Sequence, residues 1–276
     1  MRTQAEKGTI FRALHERGRA FVIPNPWDVG TARLLAHLGF EALATTSAGY
    51  AFSVGQQDNI IGRDETLAHC ATIVAATHLP VSADLGNGFG DAPELVAETI
   101  RLAAATGLVG GSIEDATYRL DDPIYPIEFA VERIQAAVET TRALPFSFTL
   151  TARAENFLVG RRDLNDTIRR LQAYQEAGAD VLYAPSLTTQ EEIAAVVSSV
   201  DRPVNVLMGM QGIQINVATL SEIGVKRIST GSSLSRAALG AFLRAAQEIQ
   251  EQGTFTFGNE AASYREISAM FEAYTA

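Results

Sequence analysis

The sequence predicts a (β/α)8 barrel followed by an additional C-terminal helix. Two regularities and one asymmetry point to it. Short apolar runs alternate with helical patterns about eight times along the 276 residues, the order of elements expected of a closed parallel sheet ringed by helices. Several helical stretches stop at a glycine turn (His37-Leu38-Gly39, Ala105-Thr106-Gly107, Glu176-Ala177-Gly178, Glu222-Ile223-Gly224), and the next strand starts within a few residues. Polar residues gather at the C-terminal ends of the strands, whereas the opposite ends are mostly apolar or small. A doubly wound open sheet would have fewer strands and a phosphate-binding glycine turn after the first one. Pro24-Asn25-Pro26-Trp27-Asp28 is no such turn.

In chain order, a first helix precedes the candidate strands Ala20–Pro24, Ala42–Thr46, Pro80–Asp84, Val109–Glu114, Ser147–Arg153, Val181–Pro185, Val204–Leu207 and Arg227–Thr230. Leu67, Cys70, Ala71 and Val74 recur at helical spacing and form one apolar face, which makes Cys70 a packed core thiol. Leu164, Ile168, Leu171 and Tyr174 do the same in a helix closed by Gly178. No linker divides the chain, so residues 1–276 form a single barrel domain with a helical extension at about 259–276. Phe257, Tyr264, Ile267, Met270, Phe271 and Tyr274 give that extension an apolar stripe that must cover the barrel or another subunit.

Thirty-two acids against 22 bases give a net charge of −10, which argues against nucleic acid as the main partner. A single cysteine rules out an intrachain disulfide and a cysteine-rich metal site. The N-terminus lacks an apolar signal core, and no run approaches the ~18 apolar residues of a membrane span. A soluble cytoplasmic protein with no membrane partner is expected.

In a barrel the C-terminal strand ends converge on one face, where the active site sits. Here they bring Asn25, Trp27, Thr46, Ser47, Asp84, Glu114, Asp115, Arg153, Glu155, Pro185, Ser186, Asn205, Gly231 and Ser232. Asp84 and Glu114 lie on adjacent strands, and oxygen ligands without cysteine or histidine point to Mg²⁺ or Mn²⁺. Either acid could instead cap a loop or pair with Arg153. Arg153 itself suits a structural counter-ion, or a group that binds a substrate carboxylate and stabilises a developing enolate. The hydroxyls and N–H groups of Thr46-Ser47-Ala48-Gly49 suit a carboxylate or a plain turn. The histidines at 15, 37, 69 and 78 fall on or beside helices and are expected to pack rather than catalyse. The loop Gly86–Gly90 is a weak phosphate signal beside so many acids. Gly231-Ser232-Ser233-Leu234 is the better anion cradle, or simply a helix cap.

Taken together, Pro24-Asn25-Pro26-Trp27-Asp28, Ala44-Thr45-Thr46-Ser47-Ala48-Gly49, Gly55-Gln56-Gln57-Asp58, Ala83-Asp84 with Gly88-Phe89-Gly90, Ile113-Glu114-Asp115 and Thr151-Ala152-Arg153 resemble the isocitrate lyase/phosphoenolpyruvate mutase superfamily in order and spacing, over about residues 18–245. The resemblance implies a barrel that often exchanges one helix between subunits, giving a homodimer or homotetramer. It also implies Mg²⁺ bound largely through water. Substrates would be small α-keto or α-hydroxy carboxylic acids, cleaved through an enolate. By position, Asp58, Asp84 and Glu114 would form the metal shell. Thr46, Ser47 and Ala48 would hold the substrate carboxylate, Arg153 would neutralise the reacting oxygens, and Asn205 would complete the pocket wall.

Two departures narrow the activity. The family often has a second acid two residues after the first, where this chain has Gly86. Loop 116–126 carries neither the Cys of the lyase branch nor the Lys and Asn of the mutase. Isocitrate and methylisocitrate cleavage are therefore disfavoured. Oxaloacetate decarboxylation is the leading expectation. Phosphonopyruvate mutase or hydrolase chemistry, and a barrel that binds an α-keto acid without turning it over, stand as alternatives.

Overall fold

All eight strands form, and they are parallel. The computed structural model describes residues 2–274. The strands are β1 (Phe21–Ile23), β2 (Leu43–Ala44), β3 (Val81–Asp84), β4 (Gly110–Glu114), β5 (Thr149–Arg153), β6 (Val181–Tyr183), β7 (Val204–Leu207) and β8 (Arg227–Ser229). Their order in the sheet, β1-β8-β7-β6-β5-β4-β3-β2, makes every sequential pair adjacent except β1 and β2. At that seam Ala44 N–H donates to the Pro24 carbonyl at 3.1 Å, and the Asn25 amide donates to the Thr45 carbonyl at 2.9 Å. The barrel is nearly closed.

Eleven helices accompany the strands among the described residues. They are α1 (Gln4–His15), α2 (Val29–His37), α3 (Ser47–Ser53), α4 (Arg63–Ala76), α5 (Pro93–Ala105), α6 (Ile127–Arg142), α7 (Leu164–Glu176), α8 (Gln190–Ser198), α9 (Val217–Ile223), α10 (Ser233–Gln252) and α11 (Tyr264–Phe271). The first of them closes the bottom of the barrel. Phe11 and His15 of α1 pack edge-on against Phe21 at the start of β1, inside a small apolar cluster with Leu14, Ile23 and Val109. Gln4 fixes this helix by donating to the Ala104 and Leu108 carbonyls, both at 2.8 Å. Gly8 lets it come that close, since a side chain there would run into the Ser147 carbonyl.

Cys70 is fully buried, as expected of a core thiol. The face of α7 is wider than the expected stripe. Leu171 and Tyr174 are buried, but so are Thr167 and Arg170, while Leu164 and Ile168 are only half-buried. A buried carboxylate, Asp115, turns that helix by drawing Arg170 inward to 3.0 Å.

The C-terminal extension differs from the expectation in extent. A regular helix spans only Tyr264–Phe271, preceded by a short 3-10 turn at Thr256–Asn259; residues 275 and 276 of the expected extension lie outside the described residues. It rests on α2, with the Arg33 guanidinium 4.9 Å from the centre of the Tyr274 ring. The long α10 is also largely exposed: Ser235 is its one buried residue. No helix among the described residues is long and apolar enough to cross a membrane.

Candidate active site

The strand register explains how the polar ends meet. Glu114 pairs with Arg153 across β4 and β5, Arg153 with Tyr183, Tyr183 with Asn205, and Asn205 with Arg227. Strands in such a barrel tilt about 36° to its axis, so this row descends as it runs around the wall. Arg153 stands at the mouth. Arg227 stands beside Phe21, on the floor that α1 covers.

At the mouth, one guanidinium faces three acids. Arg153 Nη1 lies 3.2 Å from Glu114 Oε2 and 3.6 Å from Asp84 Oδ1, and Arg153 Nε donates to Glu155 Oε1. Burial alone would lower the pKa of Arg153, but Glu114, Glu155 and Asp84 hold it well above its ordinary value. Burial raises the carboxyl groups of Glu114 and Glu155 in turn, against the pull of Arg153. Arg153 is therefore the counter-ion of this cluster, whatever else it does. Asp115, one residue beyond Glu114, has a different task. It accepts from Arg170, Tyr174 and the Glu155 N–H, and so knits β4, β5 and α7 together beneath the site.

Asp84 occupies the junction of two cavities. Above it a cleft of about 770 Å³ is lined by Thr46, Ser47, Tyr50, His69, Gly86 and Tyr118. Below it a cavity of about 60 Å³ runs along the barrel axis past Arg153, Tyr183 and Asn205 to Arg227. Asp84, Thr45 and Thr46 line both. The carboxylate is held by N–H donors from Ser47 and Gly86, each at 3.4 Å, and Thr45 Oγ1 accepts from the Asp84 N–H at 3.0 Å.

The structure brings most of the expected residues together. Asp58 reaches the site from an exposed loop, where its carboxyl takes a hydrogen bond from Ser47; loss of hydration raises its pKa, and the nearby Asp84 charge adds to this. Thr46 and Ser47 line the cleft, although Thr46 Oγ1 already caps α3 by accepting from Gly49 N–H at 3.2 Å. Ala48 is half-buried in the first turn of that helix and does not line the cleft. Asn205 accepts from Arg227 Nε at 2.9 Å and donates to Ser229 Oγ at 3.0 Å.

Part of the anion cradle expected at Gly231-Ser232-Ser233-Leu234 is engaged within the fold: Asn25 Oδ1 accepts from the N–H groups of Thr230 and Gly231, both at 2.9 Å, and the Ser233 N–H donates to the Thr230 carbonyl at 3.0 Å. His15 packs as expected, and burial lowers its pKa to about 3. His69 is buried too, but it stacks on Tyr50 with ring centres 3.8 Å apart and lines the cleft.

Two further side chains complete the site. Tyr118, on loop 116–126, folds over the mouth and donates to Glu114 Oε1 at 2.7 Å. It holds an unfavourable positive φ of 60° to do so. Its hydroxyl fills the space above Gly86: a Cβ on residue 86 would lie 2.6 Å from Tyr118 Oη. The second is Arg227, whose position follows only from the slant of the register.

Among the described residues, no three acids, histidines or cysteines converge closely enough to hold a metal by themselves. Mg²⁺ does not require that, since it keeps several waters and commonly uses one or two carboxylates. Asp84 offers such a ligand at the cleft, with Asp58 and Glu114 nearby. The residues fit the ion.

An acid-lined barrel mouth beside an open cleft is the setting of an enzyme, and the relatives of the chain make it one of lyase or mutase type. Residues 11–250 match the family model described as phosphoenolpyruvate phosphomutase, and the chain belongs to that family. A Burkholderia cenocepacia J2315 protein whose crystal structure is described as that of a lyase/mutase is 65% identical, covering 98% of this chain and 96% of its own, with a TM-score of 0.95. An uncharacterized Mycobacterium tuberculosis protein is 32% identical, over 87% of this chain and 89% of its own. Oxaloacetate decarboxylase of Pseudomonas aeruginosa (strain UCBPP-PA14) is 28% identical, over 86% and 83%. Phosphonopyruvate hydrolase, solved with oxalate and Mg²⁺, is 25% identical, covering 99% of this chain and 96% of its own, with a TM-score of 0.85.

Proposed function

We propose that the chain is a Mg²⁺-dependent, cytoplasmic lyase that cleaves a small α-keto acid of oxaloacetate type through an enolate. The observation that carries this reading is the cluster of Asp84, Glu114 and Glu155 around the Arg153 guanidinium at the barrel mouth. Asp84, with Asp58 and Glu114 around it, would hold the ion, with Mn²⁺ as a substitute. When bound, Mg²⁺ supplies Lewis-acid polarisation of the keto group. Thr46 and Ser47 would orient the substrate carboxylate. Arg153 presents fixed positive charge where the reacting oxygens become negative, and such preorganised charge is effective in a site sheltered from water. Tyr118 shelters it. Burial and the Glu114 carboxylate raise its phenol far above the ordinary value, so the hydroxyl keeps its proton and remains a donor to Glu114.

Oxaloacetate with Mg²⁺ is the direct test. Pyruvate release is expected from the wild type, and Asp84→Ala and Arg153→Ala should each lower kcat/KM by about 100-fold or more. Equal rates in all three proteins would sink the assignment. Phosphonopyruvate, followed by phosphorus NMR, decides the C–P alternative suggested by the hydrolase relative. The chain is also read as a homodimer or homotetramer with a helix exchanged between subunits, supported by the exposed apolar side chains Leu239, Phe242, Leu243 and Ile249 on α10.

A further inference from the structure

The floor of the barrel holds a cation without an acid. Arg227 is only 5% exposed. Its Nε donates to Asn205 Oδ1, yet its buried Nη1 has no hydrogen-bond partner among the described residues. Among the described residues no carboxylate forms an ion pair with it, in contrast to Arg153 and Arg170, which have three and two acid partners. Burial lowers its pKa to about 10, so it is still cationic near neutral pH. A buried, uncompensated guanidinium is costly to keep.

Its surroundings suggest what would compensate it. Arg227 lines the small axial cavity with Asp84, Ser112, Arg153, Tyr183 and Asn205, and that cavity meets the main cleft at Asp84 and Thr46. At about 60 Å³ it exceeds the ~10–15 Å³ needed for one water, and a carboxylate-tipped chain could enter it. We propose that Arg227 anchors an anionic subsite at the bottom of the active site, which takes the distal carboxylate of a dicarboxylic substrate. The proposal rests on the functional reading above and deepens it: of the two carboxylates of an oxaloacetate-type acid, one is held at the mouth and the distal one at the floor, by Arg227. A planar guanidinium suits a carboxylate because it donates from two nitrogens in the geometry the two oxygens present. Nε is engaged by Asn205, and Nη1 has no partner among the described residues.

Two stable C4 acids isolate the distal group. Malate and 2-hydroxybutyrate share the α-hydroxy acid end and differ in having a carboxylate or a methyl group at the other. Calorimetric titration in the presence of Mg²⁺ should show wild-type protein binding malate at least about tenfold more tightly, as expected of a charge-assisted hydrogen-bonded pair. Arg227→Met should bring the two affinities to within about twofold of each other by weakening malate alone, and Arg227→Lys should retain part of the preference. A wild type that binds the two acids equally, or binds neither, overturns the subsite without any variant. So does a preference that survives in a folded Arg227→Met. Turnover separates this from the lyase reading: a wild type that prefers malate but converts no oxaloacetate keeps the subsite and loses the activity.

Discussion

Position 86 and Tyr118 act as a pair. Gly86 has φ +52°, a conformation that favours glycine, and Tyr118 Oη fills the space above it. Restoring an acid with Gly86→Asp therefore meets both backbone strain and the phenol. A loss of about 1–3 kcal/mol is expected, together with displacement of Tyr118 from Glu114. Tyr118→Phe alone should cost about 1 kcal/mol for the lost hydrogen bond. The double variant should be more stable than the sum of the two single losses, because removing the hydroxyl relieves the clash. Urea denaturation of the four proteins checks this, and strict additivity would show that the two positions do not compete for space.

Helix α1 shows how an element far from the chemistry contributes. It closes the barrel floor with Phe11, Leu14 and His15, and His15 Nδ1 lies 2.9 Å from the Phe11 carbonyl oxygen. Burial, helped by the Arg227 charge, lowers the His15 pKa from 6.5 to about 3. The unfolded chain therefore binds the extra proton first as pH falls. The contribution of neutral His15 is complete above pH ~6.5 and declines by up to ~1.4 kcal/mol per pH unit as pH falls toward the folded value. His69, lowered to about 4 by burial, adds to the same slope. His15→Leu should flatten the dependence of urea stability on pH between about 6 and 4. A slope identical to that of the wild type would show that His15 does not stay neutral in the folded protein.

For the molecule as a whole, the unmatched surface is α10. Phe242 is 67% exposed and Leu243 56%, and Phe255 just beyond the helix is 68% exposed, an apolar surface of the kind that marks an interface. Wild-type protein is expected to elute from a sizing column as a dimer or tetramer. Phe242→Asp should shift it toward monomer with little change in the circular dichroism of the fold. A wild type that elutes as a monomer at every concentration would refute the assembly.

Periodicity was enough to place all eight strands, because a buried parallel strand and a glycine-stopped helix each leave a local mark. It also placed Asp84, Glu114 and Arg153 at the mouth, since strand ends converge in any barrel. Family spacing added Asp58, which no periodicity marks because it sits on a loop. Local pattern could not decide which partner each charge takes. Asp115 proved to be an anchor for Arg170 because α7 packs across β4 and β5. Asn25 took the Gly231 N–H of the expected cradle because β1 and β8 are neighbours across the sheet. Tyr118 reached Glu114 only because glycine leaves room at residue 86, and Arg227 came to lie under the site through the tilt of the strands. Sequence determined the elements and their polar ends, because those depend on neighbours along the chain. Tertiary structure decided the pairings, because a charge takes its partner from whatever the barrel brings within reach.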